Sequence, residues 1–521
     1  MGDYVDLSGA QPIPADLRKG YVEHQWWNGE LLRDGVESHA LRDPTRRALS
    51  DQASSWTYQQ TAQAISRVIA VLRRRGVGHG SAALVVAPLS AAAVIAYHAI
   101  IRSGGVAVML DRRAGRSEVA HAIATAGVGL IVSTGELLTQ LESELGDVPR
   151  ASFDELLAGD RSCTDWVEPD PDRPSVVLFT SGTTSRPKAV VHSLNTVRAA
   201  ARNLAEAVAV TDRDVAFLSS PLASVTGIVQ IHLTLDRGAT LLLEERFDRA
   251  GSLRRICDES ATLIGGAPVI LEELLSEADA QGISELPLRS VLVGGSVIPR
   301  ALLDVAAERY GITPVRIYGS SEAPCAVLTL PSDTGPDRVR DDGACAPGTE
   351  LRVDGPGELL VRGPVRFLGY LDEQHNEGAF AGDGWFRTGD LGRVEHGRLT
   401  VAGRLTETAS RKGLKVSLAE IDERVAALPG IREAAAFALP DTETGERVAV
   451  AVIADVPDAM SLELITTPLV DAGLAKWKLP EQIVLWEGPL PRTESGKVQR
   501  RVIAERHARC ANLYADRVRW Q

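Results

Sequence analysis

VVLFTSGTTSRPKAVVHS, residues 176–193, is the stretch on which the reading of the fold turns. Val176, Val177, Leu178 and Phe179 form a short apolar run of the kind that fills a strand covered on both faces. The run empties into Thr180, Ser181, Gly182, Thr183 and Thr184, and a lysine follows at position 188. Hydroxyls, freed backbone N–H groups and one ammonium can surround phosphate oxygens, which need many donors and a compensating charge. The GxxxxGK order of a Walker loop is absent. TSGTTS alone would serve equally as a plain connector, and it is Lys188 that favours phosphate. The chain holds only seven lysines among 56 basic residues, at 19, 188, 412, 415, 476, 478 and 497. A sequence that otherwise chooses Arg keeps Lys where a compact point charge is wanted and a planar fork would not fit.

Working outward, β-branched runs alternate with Ala-rich amphipathic segments, the mark of βα units and mostly parallel sheets. The pattern predicts strands at 83–87, 129–133, 176–180, 239–245, 291–295 and 315–319, with helices at 196–208 and 300–310 between them. After about Pro331 the chain turns strand-rich with many Gly and Asp, as in a small β subdomain. Past Arg404, Ser417 and Glu420 have capping-box spacing before an amphipathic helix that Pro429-Gly430 ends, and RVAVAVIAD follows as a strand. The expected division is residues 1–403 and a compact α+β domain at 404–521.

A length of 521 residues exceeds what one core supports. A net charge of −13 disfavours nucleic acid and anionic membrane as partners, since both need clustered Lys and Arg. Five cysteines without CxxC or metal-ligand spacing suit free thiols in a reducing compartment, and the N-terminus lacks the basic and apolar regions of a secretion signal; a cytoplasmic location is expected. The apolar stretch 81–100 is long enough to suggest a membrane span. Pro88 and Ser90 divide it into a strand end and a capped helix, which Gly104-Gly105 stops.

The loop at 180–188 resembles the phosphate loop of the adenylate-forming superfamily, TSGTTGxPKG, and four further segments follow in that family's order. YGSSEAP at 318 is similar to its YGxTE signature and GWFRTGDLG at 384 to its ribose-binding segment. GRLTETASRKGLKVSLAEID at 403 is similar to the hinge, and PRTESGKVQRR at 491 to the last catalytic loop. The resemblance implies an α/β fold. A large N-terminal body of two αβ-layered sheets plus a small β subdomain would bind ATP and acid, and a small mobile α+β C-terminal domain would carry the catalytic lysine. It implies that Tyr318 stacks on adenine while Gly295, Ser296 and Gly319 line the base pocket, with Ser320 and Ser321 beside them. Glu322 would hold Mg²⁺, Asp390 the ribose hydroxyls and Arg404 ribose or phosphate. Thr180, Ser181, Gly182, Thr183, Thr184 and Lys188 would hold the phosphates, with Thr183 counted among the catalytic residues. Lys497 would act on the acid's carboxylate and the α-phosphate, and Lys412 and Gly413 would approach a thiol acceptor.

On this reading the chain converts a small carboxylic acid to an acyl-AMP and passes it to a thiol, coenzyme A first. A carrier protein, or a non-thiol nucleophile such as an amine or nitrite, are the alternative acceptors. Ser185 and Ala189 replace the family's glycines, Thr406 stands at the hinge where Asp or Lys is usual, and Ser224 replaces the His of PLxH. The acid pocket is expected along Ser224, Val225, Thr226, Gly227 and Gly294. YVEHQWWNGELL at 21 resembles leaders of aryl- and alicyclic-acid enzymes, which favours an aromatic or cyclic acid. A catalytically dead binding module is the reading from another class, and the joint presence of Lys188, Glu322, Asp390, Arg404 and Lys497 argues against it.

Overall fold

A computed structural model describes residues 13–28, 35–163, 169–180, 187–295, 298–335, 337–355, 357–411, 414–472, 474, 476–492 and 496–515. The chain divides into two compact units. The first comprises Met1–Leu351, Leu360–Arg387 and His396–Leu399; the second comprises Arg352–Leu359, Thr388–Glu395 and Thr400–Gln521.

In the first unit, Thr313–Tyr318, Ser290–Gly294, Leu263–Gly266, Val215–Leu218, Thr240–Leu243 and Arg47–Ser50 lie side by side, all parallel. Beyond Thr313–Tyr318 the pairing turns antiparallel, through Val327–Leu328 to Gly343–Cys345. The carboxyl ends of the parallel strands, where open α/β sheets bind ligands, carry Gly266, Gly294 and Tyr318.

A second sheet has seven strands, in the order Gly369–Tyr370, Lys188–Ser193, Pro174–Thr180, Val106–Asp111, Ala82–Ala87, Val128–Ser133 and Arg150–Ser152. Its middle is parallel, but Pro174–Thr180 and Lys188–Ser193 form an antiparallel hairpin with Thr180 opposite Lys188. The sheet is thus mostly parallel, as expected, and the hairpin and the strand beside it are its antiparallel part. A parallel partner needs a crossover of about a dozen residues or more, and only residues 181–187 separate these strands.

Between the two sheets lies the largest core, drawing Ala83 and Val85 from one, Leu218 and Leu241 from the other, and the helices Tyr58–Arg74, Ala91–Arg102, Leu194–Ala207 and Val225–Leu235 from the space between. A helix so enclosed must be apolar nearly all round. Ala91–Arg102 buries every residue but Ala92, and withdrawing a side chain such as Ile95 from water stabilises by roughly 1.5–3 kcal/mol. Ser90 caps it, accepting the N–H of Ala93 at 3.3 Å. The suspected membrane stretch is thus a strand and a core helix, and no helix among the described residues is long and apolar enough to cross a membrane. The expected strand at 239–245 is shorter, Thr240–Leu243; just past it, Glu244 still donates its N–H to the Leu218 carbonyl at 2.8 Å and its carboxylate meets the Arg255 guanidinium at 2.7 Å.

In the second unit, Gly445–Ala454 is the central strand. It pairs antiparallel with Ile431–Asp441 and parallel with Gln482–Leu485, which in turn pairs with Ala511–Tyr514. Leu418–Ala426 packs Leu418, Ile421 and Val425 into a core with Val448, Val450 and Ile483. Ser417 caps this helix by accepting the Glu420 N–H at 3.2 Å, but only half of the expected capping box forms. The Glu420 carboxylate is taken by Lys478 Nζ at 2.7 Å instead of returning to the Ser417 N–H. None of the five cysteines is in a disulfide.

Candidate active site

Lys188 opens the second strand of the hairpin, half-buried, with its Nζ 5.0 Å from the centroid of the Tyr370 ring. A cation over an aromatic face is attracted by the ring's quadrupole. Tyr370 sits there because Gly369–Tyr370 adds a further strand to the hairpin, Tyr370 opposite Val190. Asn376 fastens the same residue: its Oδ1 accepts the Tyr370 N–H and its Nδ2 donates to the Tyr370 carbonyl, both at 2.9 Å. Phe367 packs edge-on against the ring at 4.9 Å. The Tyr370 hydroxyl donates to Glu322 Oε1 at 2.8 Å. Burial, and then the neighbouring carboxylate, hold the phenol pKa far above its ordinary value, so it remains a donor.

Glu322 ends a tight turn that begins at Tyr318. A Cβ on Gly319 would stand 2.6 Å from the Ala323 carbonyl oxygen and 2.8 Å from the Cys325 nitrogen, so the turn closes only with glycine there. Ser320 Oγ accepts the Glu322 N–H at 3.2 Å, and the Glu322 carbonyl accepts the Phe367 N–H at 2.7 Å. From the hairpin, fully buried His192 places Nε2 2.7 Å from the Ser321 carbonyl and Nδ1 3.0 Å from Thr196 Oγ1. A carbonyl only accepts, so Nε2 carries the hydrogen. Burial pushes this imidazole down to about 4, against the opposing pull of that hydrogen bond, and it is neutral near pH 7. Glu322 is therefore held through its backbone and its carboxylate, and the turn is tied to the hairpin that carries Lys188. Gly294 pairs with Ile317 on the adjoining strand, and Gly295 follows it, exposed.

At the expected acid pocket, Ser224 caps Val225–Leu235. Its Oγ donates to the Pro221 carbonyl at 2.7 Å and accepts the Gly227 N–H at 3.1 Å. A Cβ on Gly227 would lie 2.2 Å from that carbonyl oxygen, which fixes glycine at this position. Val225 is half-buried and Thr226 exposed. One turn further on, buried Gln230 lies against the end of a neighbouring strand, with its Oε1 2.8 Å from where a Cβ on Gly265 would sit.

In the second unit, the Asp390 carboxylate is buried and accepts Arg404 Nε at 2.9 Å. Lys497 is exposed on a loop pinned at both sides: Leu490 and Val498 reach a core with Ile503, Arg492 bridges to Val498, and Arg492 Nη1 donates to the Gly496 carbonyl at 3.0 Å. Ser181, Gly182, Thr183, Thr184, Ser185, Ser296, Lys412 and Gly413 lie outside the described residues, as does the side chain of Thr406. Sequence reasoning missed His192, Tyr370, Asn376 and Gln230. The polar residues His192 and Gln230, sitting inside apolar runs, were the available signal.

Residues 36–371 match the family model described as AMP-binding enzyme, and residues 420–497 match its C-terminal domain. The chain is 27% identical over 487 residues to a 2-succinylbenzoate–CoA ligase of Listeria monocytogenes, covering 92% of this chain and all of that one. It is 29% identical over 497 residues to an indoleacetate–CoA ligase of Aromatoleum aromaticum, covering 90% and 96%. Among solved structures, the o-succinylbenzoate CoA synthetase of Bacillus subtilis in complex with its acyl-adenylate intermediate superposes with a TM-score of 0.79 at 24% identity, covering 89% of this chain and 96% of that one.

Proposed function

Because this chain belongs to the AMP-binding enzyme family, we propose that it activates a small carboxylic acid with ATP, as an acyl-AMP, and transfers the acyl group to the thiol of coenzyme A. Both ligases reported above take acids that bear a ring, and we extend that class, an aromatic or cyclic acid, to this chain. The observation that carries the reading is the convergence of Lys188 and Glu322 on one ring beside the turn that starts at Tyr318.

In the first step a carboxylate oxygen attacks the α-phosphorus, the bond from that phosphorus to the bridging oxygen breaks, and pyrophosphate leaves. In the second, a thiolate attacks the acyl carbon and AMP departs with the bonding pair, the thiol proton passing to solvent. Residues 1–403 bind ATP and acid: Lys188 and the loop at Thr180–Thr184 take the β- and γ-phosphates, and Tyr318 takes the base. Residues 404–521 bring Lys497, whose charge offsets that developing on the acid and the α-phosphate, with Lys412 and Gly413 on the side of the thiol. Asp390 and Arg404 hold the ribose.

The donor set fits Mg²⁺. Among the described residues no cluster of three or more His, Cys, Asp or Glu could hold a metal unaided, and a hard cation that binds through one carboxylate plus substrate phosphates needs none. Glu322, with Oε1 engaged by Tyr370, would offer Oε2. The ion, when bound, neutralises phosphate charge.

The test is pyrophosphate release across a panel of aryl, alicyclic and short-chain acids, with and without coenzyme A. Acid-dependent pyrophosphate release together with coenzyme A-dependent AMP formation supports the proposal. Adenylation that proceeds while coenzyme A is never acylated would move the acceptor to a carrier protein or an amine. An acidic chain with free thiols suits the cytoplasm as the place of action.

A further inference from the structure

The phenol of Tyr370 has no part in the chemistry just described, yet it is the only side chain among the described residues seen bonded to the Glu322 carboxylate, at 2.8 Å. We propose that Tyr370 is a positioning residue that sets the Glu322 carboxylate for the divalent cation accompanying ATP. The inference rests on the reading of Glu322 as the metal-holding carboxylate.

Three features favour alignment over incidental contact. The donor is rigid: Asn376 clamps the Tyr370 backbone from both sides, Phe367 packs edge-on against the ring, and the residue is registered opposite Val190. The acceptor's backbone is held by the same segment, through the N–H of Phe367. A hydrogen bond to Oε1 leaves Oε2 open, so one oxygen is oriented while the other stays available to a hard cation. The ring also has a second neighbour, Lys188 Nζ over its face, so a single side chain stands between the phosphate lysine and the metal carboxylate. Replacing the hydroxyl alone leaves that cation–ring contact in place and isolates the effect on Glu322.

The test compares Tyr370→Phe, Glu322→Gln, their double variant and Phe380→Leu. Phe380 stacks on Phe367 at 5.5 Å within the same aromatic cluster, holds the Arg366 guanidinium 4.9 Å from its ring centroid and is outside the proposed bond, so its variant disturbs the cluster while leaving the Tyr370 hydroxyl in place. Mn²⁺ is titrated by electron paramagnetic resonance into the full-length protein saturated with a non-hydrolysable ATP analogue, and analogue binding without metal is measured by calorimetry. Tyr370→Phe should weaken Mn²⁺ about tenfold or more, in line with the loss of one hydrogen bond to a charged group, without changing metal-free analogue binding. Phe380→Leu should leave Mn²⁺ binding unchanged even where it lowers the melting temperature, and the double variant should bind Mn²⁺ no more weakly than Glu322→Gln.

Unchanged Mn²⁺ affinity in Tyr370→Phe, with affinity lost in Glu322→Gln, overturns the inference and leaves the reading of Glu322 standing. Unchanged affinity in Glu322→Gln overturns that reading itself. A loss in Phe380→Leu equal to that in Tyr370→Phe assigns the effect to packing and also overturns the inference.

Discussion

The two units present their candidate site residues in opposite ways. In the first, Lys188, His192, Glu322 and Tyr370 are partly or wholly buried and tied to one another across three segments before any substrate arrives. In the second, Lys497 stands exposed on a loop whose anchoring falls to its neighbours Leu490, Arg492 and Val498. A group that must meet phosphates in a fixed geometry gains from preorganisation, whereas an exposed side chain contributes little to the fold around it. The difference teaches where mutational cost should fall: on chemistry alone at Lys497, and on chemistry and folding together around Glu322.

The largest effect breaks the comparison if it fails. Lys497→Ala should reduce acid-dependent pyrophosphate release by about 10² or more, the loss typical of one charge-stabilising donor. Its melting temperature should be that of the parent, since an exposed side chain contributes little to stability. Unchanged pyrophosphate release in that variant would remove Lys497 from the reaction, and a fall in melting temperature would show the loop to be as built-in as the hairpin.

His192 sharpens the contrast from the other side. His192→Ala leaves the partly buried Ser321 carbonyl without its donor, at a cost of about 1 kcal/mol or more, and frees the turn that positions Glu322. Turnover should fall about tenfold, the effect of roughly 1.4 kcal/mol on the barrier, and the melting temperature should fall as well. His192→Gln, which can still present an N–H, should recover part of both.

How much of this was legible in the sequence follows the range of the contacts. Lys188 stands out within its own segment, Glu322 and Asp390 through the resemblance of short contiguous motifs, and the strand and helix pattern around them is carried by short-range periodicity; the helix expected at 300–310 is found as Arg300–Tyr310. His192 meets Ser321 across 129 positions and Tyr370 meets Glu322 across 48. No periodicity reports such pairings, so a histidine in a buried strand and a tyrosine after a glycine read as ordinary core. The hairpin was hidden for a related reason: the apolar runs of VVLFT and of Ala189, Val190 and Val191 say that a strand is covered without saying which way its neighbour points.

Arg492 tests the loop's own support and should act more weakly. Its Nη1 holds the Gly496 carbonyl and its Nη2 meets Glu433 at 2.8 Å, on a side chain that remains largely in solvent. Exposed pairs of this kind contribute about 0.2–1 kcal/mol. Arg492→Ala should therefore lower pyrophosphate release only a few-fold. A loss equal to that of Lys497→Ala would mean that this loop, too, is preorganised.

The smallest effect on turnover, and the one that separates burial from function, concerns His98. Like His192 it lies in the first unit and is buried, but its Nε2 has no hydrogen-bond partner among the described residues. It faces Tyr97 and His232, with Asp236, Arg102 and Arg198 nearby, and burial first, then His232, lowers its pKa from 6.5 to about 3. Between those values the unfolded chain takes up a proton that the folded one refuses. Stability is therefore full above pH 6.5 and falls as pH drops towards 3, by up to about 1.4 kcal/mol per pH unit for this one group. His192 adds a second proton with the same sign. His98→Leu should flatten the fall in melting temperature between about pH 7.5 and 5.5 by close to one proton's worth, while turnover at pH 7.5 stays that of the parent. His192→Gln should flatten it similarly but with a loss of turnover, because only that imidazole is bonded to the turn that carries Glu322. Equal losses of turnover in the two variants would show that burial of a histidine, and not its bond to Ser321, is what the active site depends on.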